Sequence, residues 1–166
     1  MASLGLHLLT VLLGMIFLFL GHIKITPQFF PEYHNQIRNE FGKFNKEFPL
    51  YQLTGWRPYA KNYRIAVGVI EMSAGSLLLL AGGKQTNRHW NLTMTNISHL
   101  AFSQTFATVT LLVIMINAII TFQKLHYSAE YLVGSIVLTF LLVVRLVLGL
   151  KSKAKQAAKT VKRNVE

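Results

Sequence analysis

The sequence predicts an all-α, polytopic membrane protein: a four-transmembrane-helix bundle with an amphipathic helix in the first loop. Three observations carry that prediction. Hydrophobic residues make up 52% of the 166 positions, more than an ordinary water-soluble domain holds. They gather in four runs, at positions 4–21, 65–81, 100–122 and 131–150, each close to the length that crosses about 30 Å of hydrocarbon at about 1.5 Å per residue. Within those runs the only acids or bases are Glu71 and Arg145, as the cost of placing charge in lipid demands.

The first run, 4–21, lacks both the basic leader and the small-residue cleavage pattern of a secretory signal, and is expected to be a retained helix. The loop that follows holds all four prolines, Pro27, Pro31, Pro49 and Pro58. Between Pro31 and Pro49, apolar residues recur at helical steps as Phe30, Tyr33, Ile37, Phe41, Phe44 and Phe48. This predicts an amphipathic helix over 31–48, with Pro31 suited to its first turn and Pro49 ending it. Its aromatic face either lies on the bundle top or in interfacial lipid, or forms a docking surface for a client protein.

Residues 1–150 therefore read as the membrane domain and 151–166 as a basic tail. Net charge is +11, and six of the seventeen Lys and Arg residues, Lys151, Lys153, Lys155, Lys159, Lys162 and Arg163, fall in that tail. Such a segment meets anionic lipid, so the basic balance gives no reason to expect a nucleic-acid partner. Four crossings place both termini on one side. Bases balance at eight on each side of the membrane, and the tail, expected to be unstructured, tips the orientation toward a cytosolic C terminus. The sequons Asn91-Leu-Thr and Asn96-Ile-Ser favour the opposite orientation and are taken as chance matches. The absence of cysteine excludes disulfides, zinc thiolate sites and dithiol redox chemistry.

Polar and small residues form stripes on the spans. Arg64, Gly68, Glu71 and Gly75 follow at steps of four, three and four, so Glu71 shares a face with two glycines that admit a close neighbour. Ser3, His7, Thr10, Gly14, Gly21 and Lys24 form a seam on the first span, and His99, Ser103, Thr110, Asn117 and Thr121 another on the third. The stripes are expected to meet while the remaining faces contact lipid. Glu71 lies roughly 9 Å inside the first-loop end of its helix, at the depth of Asn117 and within reach of Lys24 and Arg64. Arg145, about 21 Å deep when counted from Tyr131, is expected to snorkel toward the basic tail and not to pair with Glu71. Glu71 itself has several readings: hydrogen-bonded glue between helices, a contact for a partner's span, a proton-handling group or a small-ligand site. His99, a single histidine with no second at ligand spacing, argues against haem or metal ligation.

The sequence Gly21-His-Ile-Lys-Ile-Thr-Pro27 closing the first span, then Phe48-Pro49-Leu50, then Asn62-Tyr63-x-Ile65-Ala-Val-Gly68-x-x-Glu71-x-x-Ala74-Gly75 resembles the transmembrane protein 35 family, itself grouped with the DoxX-like four-helix membrane proteins. The family includes the nicotinic acetylcholine receptor chaperone of the endoplasmic reticulum, and the wording of 62–75 looks more like its B-type paralogue. The resemblance is strongest from Gly21 to Gly75. It implies a non-enzymatic chaperone of the endoplasmic-reticulum membrane, without cofactor, that promotes assembly and surface trafficking of pentameric ligand-gated channels, with nicotinic-type receptor subunits as partners and self-association possible. The stripes give the candidate intramembrane or partner-binding seam as Lys24, Arg64, Gly68, Glu71, Gly75, His99 and Asn117. The DoxX-like relationship permits an alternative, a quinone-linked membrane redox subunit, and Glu71 permits a proton-coupled carrier; missing cysteines and paired histidines weigh against the first, and the lack of an internal repeat against the second.

Overall fold

The computed structural model describes residues 2–48, 51–83 and 94–165, and among them the chain is helical throughout, without strands. Helix α1 is Ala2–Ile25, α2 is Pro31–Phe44 with a 3₁₀ turn at Asn45–Glu47, α3 is the single turn Tyr51–Thr54, α4 is Ala60–Gly83, α5 is Met94–Lys124 and α6 is Ala129–Val165. Four of these are long and apolar enough to cross a membrane: Leu4–Ile25, Ala60–Leu80, Ser103–Lys124 and Ala129–Ser152. The molecule is an all-α, four-helix, multi-pass membrane bundle.

The spans extend beyond the apolar runs at both ends. Polar residues such as Lys61, Asn62 and Lys24 continue the backbone hydrogen-bond ladder where the hydrophobic pattern has already stopped. The largest such extension is the tail. It is not unstructured: α6 runs unbroken to Val165, because no glycine or proline follows Gly149 and the segment is rich in Lys and Ala, which are strong helix formers.

The most extensive interface joins α1 to α4. Gly14 faces Gly75 and Gly21 faces Gly68, a register that fixes the two helices as antiparallel. Each helix carries its pair seven residues apart, two turns on one face. The approach is so close that a Cβ on Gly21 would lie 2.6 Å from the Gly68 carbonyl oxygen, and one on Gly75 would lie 2.8 Å from that of Gly14. Leu13, Phe17, Ala74, Leu78, Ala107, Leu111, Leu112, Met115 and Leu142 form one buried core drawn from all four spans. Span α6 is the most peripheral, with 11% of its apolar window buried against about 30% for the others, so most of its surface faces lipid.

The predicted loop helix appears as α2, ended by the 3₁₀ turn, with Pro31 in its first turn. Its aromatic face lies on the bundle. Phe41 and Phe48 stack edge-on against Tyr63 of α4, and Phe44 stacks against Phe122 and Tyr127 at the α5–α6 corner. That corner closes with His126 at φ 52°, where Tyr127 N–H donates to the Phe122 carbonyl and His126 N–H to that of Gln123. This is a left-handed helix stop of the Schellman type, reinforced by the Phe122–Tyr127 ring contact.

Candidate functional site

The carbonyls of the last turn of α1 have no acceptor role left within the helix and need donors from outside. Thr26 cannot stay helical before Pro27, although its N–H still reaches the His22 carbonyl at 3.0 Å. The next two carbonyls are met by side chains from other helices. His34 of α2 donates from Nδ1 to the Ile23 carbonyl at 2.7 Å, and Arg64 of α4 donates from Nη1 to the Lys24 carbonyl at 2.6 Å. Arg64 Nη1 also lies 2.8 Å from His34 Nε2. A guanidinium only donates, so Nε2 is the acceptor in this contact.

Below this cap, Lys24 Nζ donates to Glu71 Oε2 at 2.6 Å, with the glutamate side chain 1% exposed and the lysine 14%. The glycine contacts flanking Glu71 bring the two backbones together, and the lysine stem then covers the carboxylate from the loop side. The pairing offsets part of the cost of holding a carboxylate in lipid. Lys24, Arg64, Gly68 and Glu71 thus meet in one polar junction between α1 and α4, and Gly75 packs one turn deeper, against Gly14 and Leu18. The junction is closed within the chain, so the glycine and glutamate stripe offers no open face to another molecule.

Asn117 does not join it. Its amide donates to Tyr63 Oη at 3.0 Å, linking α5 to the aromatic layer of Phe41, Phe48 and Tyr63. Of the stripe expected on α5, Thr121 is buried but Thr110 and Asn117 are only partly so, and the buried face is carried instead by Ala107, Thr108, Leu111 and Met115. A threonine in a helix satisfies its hydroxyl on the carbonyl four residues back, as Thr110 does on Phe106, so its polarity does not dictate which way it faces. The side chains of His99 and Ser3 and the Asn91 sequon lie outside the described residues, and Asn96 falls in the first turn of α5. On the loop face, Phe41 is buried and Ile37, Phe44 and Phe48 are half-buried, leaving Phe30 and Tyr33 exposed beside Phe29.

Arg145 does not snorkel. It is buried, and its guanidinium donates to Thr10 Oγ1 of α1 and to the Gln104 carbonyl and Thr108 Oγ1 of α5. Polar oxygens one helix away satisfy it better than a climb to the tail.

Sequence reasoning missed two participants. His34 was legible in principle, standing four residues after Phe30 and three before Ile37 on the same face, where Tyr33 is the more conspicuous apolar residue. Thr108 carried no such mark, since its hydroxyl is one of several on α5. A comparison of the chain with protein-family models finds no match.

Proposed function

We propose that this protein is a chaperone of the endoplasmic-reticulum membrane, with its C-terminal tail in the cytosol, that promotes the assembly and surface delivery of pentameric ligand-gated channels such as nicotinic acetylcholine receptors. The observation that carries the reading is the convergence of the two motif stretches on which the family resemblance rests. The Gly21–Pro27 stretch supplies Lys24 and Gly21, the 62–75 stretch supplies Arg64, Gly68 and Glu71, and their side chains and backbones meet at one junction, while Gly75 of the second stretch packs deeper against Gly14. Residues that work as a unit explain why those stretches would be kept together.

In this reading the junction holds the bundle in shape and the client is engaged elsewhere. The outer surface supplies the material: Leu4, Leu8, Leu12, Met15 and Phe19 form an exposed apolar stripe along α1, which Phe30 continues through its edge-on contact with Phe19. An unassembled channel subunit exposes helix faces that its neighbours later cover, and a second set of apolar spans can occupy them until then.

Co-expression with a nicotinic-type receptor subunit tests the proposal. Surface receptor should rise, and the subunit should co-purify with the chaperone in mild detergent. The exposed substitutions F19A and Y33A should weaken both effects while leaving the protein's own level unchanged. No rise in surface receptor and no co-purification would refute it.

A further inference from the structure

A cavity of about 340 Å³ opens beside the junction, lined by His34, Arg38, Ala60, Lys61 and Arg64. Its charged lining is cationic throughout: no carboxylate faces it, and the ion pairs among the described residues, Lys24–Glu71 and Lys43–Glu40, involve none of its walls. Arg64 is buried to 6% exposure, yet its Nε has no hydrogen-bond partner, and its bonds to described residues all leave from Nη1. A cavity walled by Arg38, Lys61 and Arg64 with no carboxylate among its lining residues is a donor set without its acceptor. Arg38 and Lys61 are exposed at the cavity and engage no described residue. Ala60 and Lys61 begin the 24-residue α4, so the free amides and the positive end of that helix point to the same place.

We propose that this cavity binds a phosphate group, supplied by the headgroup of a phospholipid in the leaflet on the first-loop side. The depth suits a headgroup: Arg64 stands one turn inside the end of the α4 span, and the exposed rings of Trp56 and Tyr59, residue types that gather at the membrane–water boundary, come just before that span in the chain. On the face of α4 that carries Lys61, Ile65 and Val69 follow at steps of four, and Val69 is half exposed, which gives acyl chains an apolar wall below the cavity. Basic pockets between membrane helices hold lipid phosphates in this way, with planar guanidinium groups matching the tetrahedral oxygens. His34, both ring nitrogens committed, holds Arg64 in place at the cavity wall.

The test is thermal stability of the full-length protein in detergent, titrated with dioleoyl phosphatidylglycerol, with dioleoylglycerol, which has the same chains and no phosphate, or with inorganic phosphate. Phosphatidylglycerol should raise the midpoint in a saturable manner and dioleoylglycerol should not. R38A/K61A, which alters exposed side chains alone, should weaken the apparent affinity at least about tenfold, the loss of one or two charge-assisted hydrogen bonds. K159A/K162A, which removes two charges from the tail, should leave it unchanged. R64K should weaken it by a similar factor, since an ammonium lacks the second edge. Stabilisation by inorganic phosphate without any by phosphatidylglycerol would keep the oxyanion site and overturn its lipid source. Equal stabilisation of wild type and R38A/K61A, equal weakening by the tail variant, or no effect of either phosphate compound would overturn the site.

Discussion

Replacing Lys24 by methionine removes the cation and keeps the stem that packs over the α1–α4 contact. Two unit charges 2.6 Å apart attract by about 6 kcal/mol at an effective dielectric constant near 20. Most of that attraction is consumed in stripping water from the two groups, so the net coupling is smaller. It lies between the average of about 0.6 kcal/mol for polar contacts between membrane helices and the roughly 3–5 kcal/mol lost when a buried charge is left alone. Because Glu71 is sealed at 1% exposure, K24M should cost about 3 kcal/mol. E71Q should cost about 1 kcal/mol, since an amide oxygen still accepts from Lys24. The double variant K24M/E71Q should be less destabilised than the sum of the two, with a coupling of about 2 kcal/mol. Equilibrium unfolding in mixed micelles, followed by circular dichroism, measures all four corners of the cycle. A coupling below about 0.5 kcal/mol, or E71Q more damaging than K24M, would refute the assignment of the pair as a closed structural bond.

G21A should destabilise the bundle by about 1–3 kcal/mol, because its methyl group meets the Gly68 carbonyl and the Met72 amide, neither of which can rotate away. G42A, in the exposed α2 and with nothing near its Cβ, should instead stabilise by about 0.5–1 kcal/mol in the same unfolding assay. H126G should stabilise by about 0.5–1 kcal/mol, since glycine takes the left-handed stop without a Cβ penalty; a loss of stability would show that the imidazole makes a contact that matters more. R145M should change stability by less than about 1 kcal/mol, because the Thr10 and Thr108 hydroxyls lose the guanidinium as a donor but keep their own acceptors, the Leu6 and Gln104 carbonyls. If R145M folds normally and fails in the co-expression assay, the charge itself serves the client.

The four crossings and the α1–α4 seam were legible because each rests on a strong local signal. A run of leucines long enough to span lipid has few alternatives, and two glycines two turns apart mark a close approach whichever helix arrives. Glu71 pointed inward for the same reason, since lipid offers it no partner. Its choice of Lys24 over Asn117 was not legible, because depth along an axis says nothing about rotation around it. Arg145 shows the limit from the other side: the length of its stem permits snorkelling, and only the position of Thr10 and Thr108 on neighbouring helices decides against it. His34 was obscured by a neighbour, Tyr33, that satisfies the aromatic pattern equally well. The helical tail was missed because a cluster of like charges suggests repulsion, whereas alanine and long unbranched side chains keep the backbone wound.

Beyond Ser152, where the apolar window of the last span closes, α6 continues through Val165. At about 1.5 Å per residue this makes a spoke of roughly 20 Å mechanically continuous with a membrane rod. A tilt of that rod within the bilayer therefore swings the whole basic arm, and anything gripping the arm pulls directly on the helix that carries Arg145.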